Sequence, residues 1–548
     1  MTPLLKLSSL LTLILPITAI KNPILPGWNP DPSILRLNNE YYLTTSSFEY
    51  FPGLPIYKST DLANWTLHSH ALTKPSQLAL YGTPTGGGTW APTLSYINNT
   101  FYISSMTRWT YDPIAKVWPR ITWISSPDLE TWSDPVWAEP WGIDPSLFQD
   151  PVSGDVYLNL MAPDSKETGI WGIYQCQVNL CTGDCVDEYR SLWNGTMPHD
   201  ASARPEGPKM FMRGGGTDDL HRASIARSRS PQGPWTSNPD NPLLFNGAYG
   251  FDNLTVQSTG HATIFDTADG DSYAVYIARR KVNGSSPLGR ETFLSPVTWK
   301  DGWPVINDGR PVLLSESFGG VVDQSNPQET WVDRFDGSVL GNGWYQLRTP
   351  YTQNVVLGDQ GGVVFRPNVY SLSERDVPAA ILRKQTSLNM TFSAELLPIM
   401  SDLRSGETVG ISVYLSEFQH QDIGVRGCAN GTGMCVYTQL LRNATVEYNE
   451  VALDASGRDC VVLHIRAEPL HYHFGYSVGD SRVHWLASIE SKWLAFAPPG
   501  WFVFEGASFS LFASGNGRPW SVGAPEVGFR SVTERYFEEI IPDYDRWK

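Results

Sequence analysis

Gly27-Trp28-Asn29-Pro30-Asp31-Pro32-Ser33 sets one carboxylate between two prolines. Each proline fixes its own φ and pushes the residue before it toward an extended conformation. The Asp31 carboxylate is therefore held in one direction. On its own the stretch reads first as a strand-entry loop with a turn-forming aspartate. Repeats further along the chain change that reading.

Strand signals dominate the first three hundred residues. Short runs rich in Val, Ile, Tyr, Phe and Thr alternate with Gly, Pro, Asn and Asp, and no long amphipathic helix pattern is visible. Ser59-Thr60-Asp61-Leu62-Ala63-Asn64-Trp65 matches Ser126-Pro127-Asp128-Leu129-Glu130-Thr131-Trp132. Ser230-Pro231-Gln232-Gly233-Pro234-Trp235 is a looser copy, and Trp299-Lys300-Asp301-Gly302-Trp303 a looser one still. Such a period marks a repeat architecture, and these copies read as turns between the outer strands of propeller blades.

An aromatic strand recurs upstream of the turns. Asp31 lies 11 residues before Tyr42, Trp90 12 before Tyr102, Asp144 13 before Tyr157 and His261 12 before Tyr273. The first strand of a propeller blade lines the central channel, so this spacing aims four chemically capable residues at one axis. A fifth repeat falls at Arg204-Pro205-Glu206-Gly207-Pro208, but the aromatic strand due near Asp218 is missing. By the repeat's own count a strand's worth of chain is absent after Met212.

The chain has 548 residues, 41% hydrophobic and 12% aromatic, with a formal net charge of −16. That length predicts two or more domains. The acidic balance repels phosphate backbones and argues against nucleic acid as a partner. Aromatic rings with scattered carboxylates suit neutral polyhydroxylated ligands such as sugars. Residues 1–19 read as a signal peptide whose apolar run is too short to span a membrane, which predicts a secreted, extracellular protein. Eight N-x-S/T sequons, at Asn64, Asn98, Asn194, Asn253, Asn283, Asn389, Asn430 and Asn443, agree with secretion. Cys176, Cys181 and Cys185 form one cluster, and Cys428, Cys435 and Cys460 another. One or two local disulfides are expected, with an odd thiol in each cluster and the pairing open.

Three carboxylates and a Trp platform in one pocket suit glycoside hydrolysis. An inverting enzyme places a base and an acid roughly 6.5–9.5 Å apart so that water fits between them. A third carboxylate beside the acid raises its pKa by like-charge repulsion.

The stretch Asn22 to Ile34 resembles the opening of glycoside hydrolase family 43, specifically its β-xylosidases. So do Ser47-Phe48-Glu49-Tyr50-Phe51-Pro52-Gly53, Trp90-Ala91-Pro92, Ile143-Asp144-Pro145-Ser146-Leu147-Phe148, Glu206-Gly207-Pro208, Thr259-Gly260-His261-Ala262 and Pro287-Leu288-Gly289-Arg290-Glu291-Thr292. The resemblance implies an all-β chain, a five-bladed β-propeller over residues 20–316 followed, after a linker at 317–330, by a lectin-like, concanavalin-like β-sandwich at 331–548. It implies Asp31 as general base, Glu206 as general acid and Asp144 as the residue that tunes and orients the acid. Arg290 would bind the sugar in the deepest subsite, with Trp90 and Phe48 as apolar walls. His261 would stand at the channel floor, either hydrogen-bonded or beside a bound structural calcium ion, the hydrogen-bonded reading being preferred. No cofactor or catalytic metal is implied. Phe504-Glu505-Gly506-Ala507 resembles the family's Phe-Thr-Gly-Ala at a loop that closes the pocket, which makes Phe504 a further wall.

The implied activity is exo-cleavage of β-1,4-linked xylose from xylooligosaccharides or arabinoxylan, with no nucleic-acid or membrane partner. An α-L-arabinofuranosidase is the alternative within the chemistry, and a catalytically dead carbohydrate binder the alternative outside it. Two departures stand out. The family strand expected between Glu206-Gly207-Pro208 and Gly215-Gly216-Thr217 is missing, and the tail from Gly523 to Lys548 differs from the usual ending.

Overall fold

The computed structural model describes residues 20–110, 119–164, 169–196, 205–211, 216–218, 223–247, 253–318, 330–359, 361–399, 401–442, 445–453, 460–494, 504–539 and 541. The signal peptide reading at residues 1–19 and the sequon at Asn443 lie outside them. The described chain is β throughout, with two short 3₁₀ turns and no α-helix.

Four four-stranded antiparallel sheets are built from consecutive strands, in the manner of a propeller. Their first strands are Ser33–Leu37, Gly88–Ile97, Ile143–Gln149 and Val256–Asp266. The expected aromatic strands are second in each: Glu40–Thr44, Thr100–Arg108, Val156–Pro163 and Ser272–Arg280. The repeated turns connect third and fourth strands, as in Gly53–Ser59 to Thr66–Leu72 and Arg120–Ser126 to Val136–Trp137.

Their recurrence has a hydrogen-bonding cause. Ser59 Oγ accepts the Leu62 N–H at 2.9 Å, and Asp61 Oδ1 accepts those of Ala63 and Asn64. Ser126 and Asp128 repeat this set with Leu129, Glu130 and Thr131. Leu62 and Leu129 both take positive φ, 65° and 64°. The indole N–H of Trp65 or Trp132 closes each turn on the leucine carbonyl.

A second recurrence is visible only in the backbone. Asp31, Ala91, Asp144, Gly207 and His261 all have φ between 45° and 62°. The residue that follows is proline in the first four, Pro32, Pro92, Pro145 and Pro208. In the second, third and fifth of these places the pairing register breaks, forming a bulge. Trp90 therefore stands one position before the residue equivalent to Asp31, as Glu206 stands before Gly207.

The fourth sheet is a strand short among the described residues. It holds Gly216–Asp218, Ser224–Arg227 and Thr236–Ser237, while residues 205–211 are in no strand. A small cavity of about 30 Å³ lies beside that segment, lined by Pro208, Met210, Ile173, Ala226 and Trp235. The sequence count put the gap at the second strand, near Asp218; the structure has a short strand there and leaves the Glu206 segment outside any strand instead.

Ile20–Lys21 pairs with Ser317–Phe318, bringing the two ends of the first half together. The second half is a sandwich of an eight-stranded and a six-stranded sheet. In Met390–Leu396 and Val461–Ala467 alternate residues point to the core, as a half-exposed strand requires. The unusual tail supplies Val527–Tyr536, which pairs with three strands of the eight-stranded sheet and buries Val527, Phe529 and Val532 completely. Cys176 bonds to Cys185 and Cys428 to Cys435, leaving Cys181 and Cys460 free and exposed.

The six-stranded sheet is buried on both faces. Ile381, Leu511 and Val413 fill the sandwich core, while their chain neighbours Leu382, Phe512 and Tyr414 face the first half. There they meet Trp28, Phe48, Tyr50 and Tyr345 in one apolar cluster. Trp28 is wholly buried, its indole N–H donating to Ser508 Oγ at 3.0 Å. Lys384 Nζ sits 4.0 Å over its ring and donates to Asn29 Oδ1 at 2.8 Å.

Trp28→Ala is expected to lower unfolding free energy by about 3–5 kcal/mol, read as a drop in denaturant midpoint. Because the ring joins both halves, their unfolding transitions should separate in the variant.

Candidate active site

The site is built from the bulged first strands. Asp31 is 6% exposed. Its Oδ2 accepts the Ser46 hydroxyl at 2.6 Å, and Ser46 Oγ in turn accepts the Ala91 N–H at 2.7 Å. One hydroxyl thus ties the carboxylate of the first sheet to the bulge of the second. Asp31 Oδ1 faces Arg290 Nη1 at 3.7 Å and His261 Nδ1 at 3.8 Å. Arg290, which its own sequence context placed as readily in a surface ion pair, is largely buried here.

Asp144 holds the turn that carries Glu206. Its Oδ2 accepts the Gly207 N–H at 2.9 Å. The adjoining Pro145 carbonyl accepts the hydroxyls of Thr93 and Ser104 at 2.7 and 3.0 Å. Glu206 is half-buried, directly before this anchored amide. A Cβ on Gly207 would fall 3.1 Å from His261 Cε1, and its φ of 62° is costly for any other residue. The absence of a side chain here lets the Glu206 turn pack closely against His261.

The hydrogen bond expected of His261 is not made among the described residues. Its Nδ1 stays 3.8 Å from Asp31, and its buried Nε2 has no protein partner. Burial, aided by Lys209 and Arg290, pushes the imidazolium down to about 4 against the pull of Asp31, so the ring is neutral at ordinary pH. Calcium takes six to eight oxygen ligands. Among the described residues no group of three His, Cys, Asp or Glu is placed to hold a metal.

Two participants went unread in the sequence. Ser46 precedes the recognised Ser47-Phe48 run, and Lys209 directly follows Glu206-Gly207-Pro208. Lys209 is 4% exposed and donates to Thr93 Oγ1. Burial pushes its ammonium down to about 8, opposed by the Asp144 and Asp31 carboxylates. A cation within the field of both acidic residues tempers the like-charge repulsion expected around the acid. Its position next to an acidic motif was the available signal.

Three rings form the wall. Phe48 stacks on Phe504 with centroids 6.0 Å apart and planes 14° from parallel. Trp90 meets Phe48 edge-on at 6.2 Å and Phe504 at 5.3 Å. The Arg290 guanidinium lies 4.7 Å from the Phe504 ring. Phe504 comes from the second half, so the pocket is composite. All eight residues singled out in the sequence lie in this region. They fall into an Asp31–Arg290–His261 group and an Asp144–Gly207 group that positions Glu206, bridged by the packing of His261 on Gly207.

Paired buried carboxylates, an arginine and an apolar wall suit a sugar ring, and the comparisons agree. Residues 20–304 match the model of glycosyl hydrolases family 43, and residues 332–524 that of the beta xylosidase C-terminal concanavalin A-like domain. The chain belongs to glycoside hydrolase family 43. A non-reducing end alpha-L-arabinofuranosidase of Bacteroides ovatus is 32% identical over 519 residues, covering 91% of this chain and 92% of its own. A xylosidase/arabinosidase of Humicola insolens is 30% identical over 428 residues, covering 75% and 77%. The crystal structure of xylan beta-1,4-xylosidase from Bacillus halodurans C-125 superposes with a TM-score of 0.83 at 26% identity, covering 94% of this chain and 100% of that one.

Gly207→Ala should fold but lose about 10²-fold in kcat, the scale of a small misplacement of a reacting group, measured by steady-state kinetics. His261 gives a pH signature. Its folded pKa of about 4 lies below the unfolded 6.5, so the unfolded chain binds the extra proton between these values. Stability should fall as pH drops from 6.5 to 4, and His261→Asn should show a smaller fall in thermal midpoint over that window.

Proposed function

We propose that the chain is a secreted, inverting exo-glycosidase that releases β-1,4-linked xylose from the non-reducing ends of xylooligosaccharides. The observation that carries this reading is Asp31 held against Arg290 inside a three-ring wall, with Asp144 anchoring the turn that bears Glu206. Asp31 takes a proton from the attacking water, and its fixed Oδ2 contact with Ser46 leaves Oδ1 to do so. Glu206 protonates the leaving oxygen on the opposite side. Asp144 orients that acid through the Gly207 amide. Arg290 hydrogen-bonds sugar hydroxyls, and Phe48, Trp90 and Phe504 exclude water around the ring.

Secretion is part of the proposal. Asn64, Asn98, Asn253, Asn283 and Asn430 are exposed and open to glycans. Asn389 is half-buried, its amide bonded to the Glu538 carbonyl and to Arg466, and should stay unmodified.

A second reading, an α-L-arabinofuranosidase or an enzyme with both activities, is favoured by the Bacteroides ovatus relative. The strand-short fourth sheet favours a third, a binder without turnover.

An NMR-monitored digest of an aryl β-D-xyloside and an aryl α-L-arabinofuranoside separates the three. Initial release of α-xylose is expected, and release of β-xylose would overturn inversion. Asp31→Asn should lower kcat by about 10²–10⁴-fold. Glu206→Gln should cost more on xylobiose than on an activated aryl xyloside, whose leaving group needs less protonation. Silence on both sugars, restored by a family-like strand inserted after Met212, would mark a damaged enzyme.

A further inference from the structure

Behind Phe48 and Phe504 lie the next residues in the chain, Glu49 and Glu505, whose side chains meet across the junction of the two halves. Glu49 is 0% and Glu505 2% exposed. The Gly86 N–H points at both, 3.3 Å from Glu49 Oε2 and 3.0 Å from Glu505 Oε1. The two carboxyl groups thus converge on one backbone amide, each in the electrostatic field of the other. Two carboxylates this buried and this close disfavour each other's charge, and a proton on one of them relieves the repulsion.

The donors around the pair say where that proton sits. Glu505 receives two backbone amides, Gly86 at Oε1 and its neighbour Phe504 at Oε2, the latter at 2.8 Å. Glu49 receives only the longer Gly86 contact, and its buried Oε1 has no donor. Glu505 is thus solvated as an anion and Glu49 as a neutral acid. Burial and the Glu505 charge both raise the Glu49 pKa.

On its C-terminal side Glu505 is followed by a tightly packed contact. Gly289 and Gly506 lie so close that a Cβ on either would strike backbone at 2.2–2.6 Å. Ala507 N–H donates to the Pro287 carbonyl at 2.7 Å. The carboxyl pair is therefore the contact that can set how deeply Phe504 seats on Phe48, Trp90 and Arg290.

We propose that Glu49 and Glu505 share a single proton across the junction, and that this proton holds Phe504 in the sugar pocket. They are positioning residues. When the proton leaves, two buried anions face each other and drive the Phe504 loop outward. Among the other charged groups, Arg348 opposes this repulsion and Glu417 adds to it on the Glu49 side, while Arg279 faces Glu505. Glu417 is itself engaged by Arg375 at 2.9 Å and lies 3.9 Å from Arg348. Tyr50 and Tyr414, also in the field of Glu49, stay neutral because burial raises them. Glu505 stands where the family resemblance places threonine, so the device belongs to this chain rather than to the pocket's general plan.

The inference rests on Phe504 being a pocket wall, and two readouts on the full chain separate it from that premise. Infrared difference spectra at neutral pH should show a protonated carboxyl band that Glu49→Gln removes. An unchanged band overturns the shared proton, whatever the enzyme acts on. For whichever aryl glycoside is turned over, wild-type KM should rise at alkaline pH with the slope of one proton, about tenfold per pH unit. Glu49→Gln, whose amide donates permanently to Glu505, should flatten that rise. Glu505→Gln should do the same and stands in if the first variant does not fold. A wild-type KM independent of pH, or a rise that survives in these variants, overturns the positioning role. A purely structural role would shift thermal stability without changing the pH profile of KM.

Discussion

The burial of one indole between two sheets governs this molecule. Trp28 sits three residues before Asp31 and lies wholly inside the cluster joining the halves. Burying so large a ring contributes several kcal/mol at ~25 cal/mol/Å², more than any single exposed contact in the pocket. Through Trp28 the sandwich fixes where the strand bearing Asp31 begins. Through Tyr50 in the same cluster it fixes the run bearing Phe48 and Glu49. The catalytic geometry is therefore not a property of the first half alone.

The buried Lys384 shows how that junction tolerates a charge. Burial pushes its ammonium down to about 7, and it lies over the Trp28 face with Asn29 Oδ1 as acceptor. Arg280 solves the same problem differently, with two carboxylates, Glu291 and Glu539, bonded to its guanidinium. Both groups reach across the halves by means that satisfy buried polar atoms. Glu49 of the first half and Glu505 of the second meet with no cation between them among the described residues, which is where the proposed proton acts.

Much of this was legible in the sequence because repeats impose it. The Ser-x-Asp-Leu turns were visible because their side chains replace backbone partners, which restricts residue choice. The aromatic strands were visible because period-2 patterning is strict where one face is buried. The shortness of the fourth sheet was signalled by a failure of the count after Met212, although the segment left outside any strand is the one bearing Glu206. Long-range contacts left weaker marks. Nothing near Lys209 or Ser46 announces a pairing partner, and the bond from Ser46 to Asp31 depends on how strands curve in space. The Glu49–Glu505 meeting spans more than four hundred residues and has no local signature at all. His261 was placed correctly by spacing, but its hydrogen bonding was not, since spacing fixes a backbone position and not the company of a ring nitrogen.

The positive-φ residues that recur at the same place from sheet to sheet have a consequence for how such a protein can change. The unusual conformation belongs to the main chain, and an aspartate, an alanine, a glycine and a histidine all accept it here. Each blade thus offers a socket of constant shape into which different side chains can be fitted. Chemistry can be exchanged between sockets, or abolished in one, without redrawing the scaffold. A carboxylate and an imidazole facing one axis are in that sense alternative fillings of a single architectural unit.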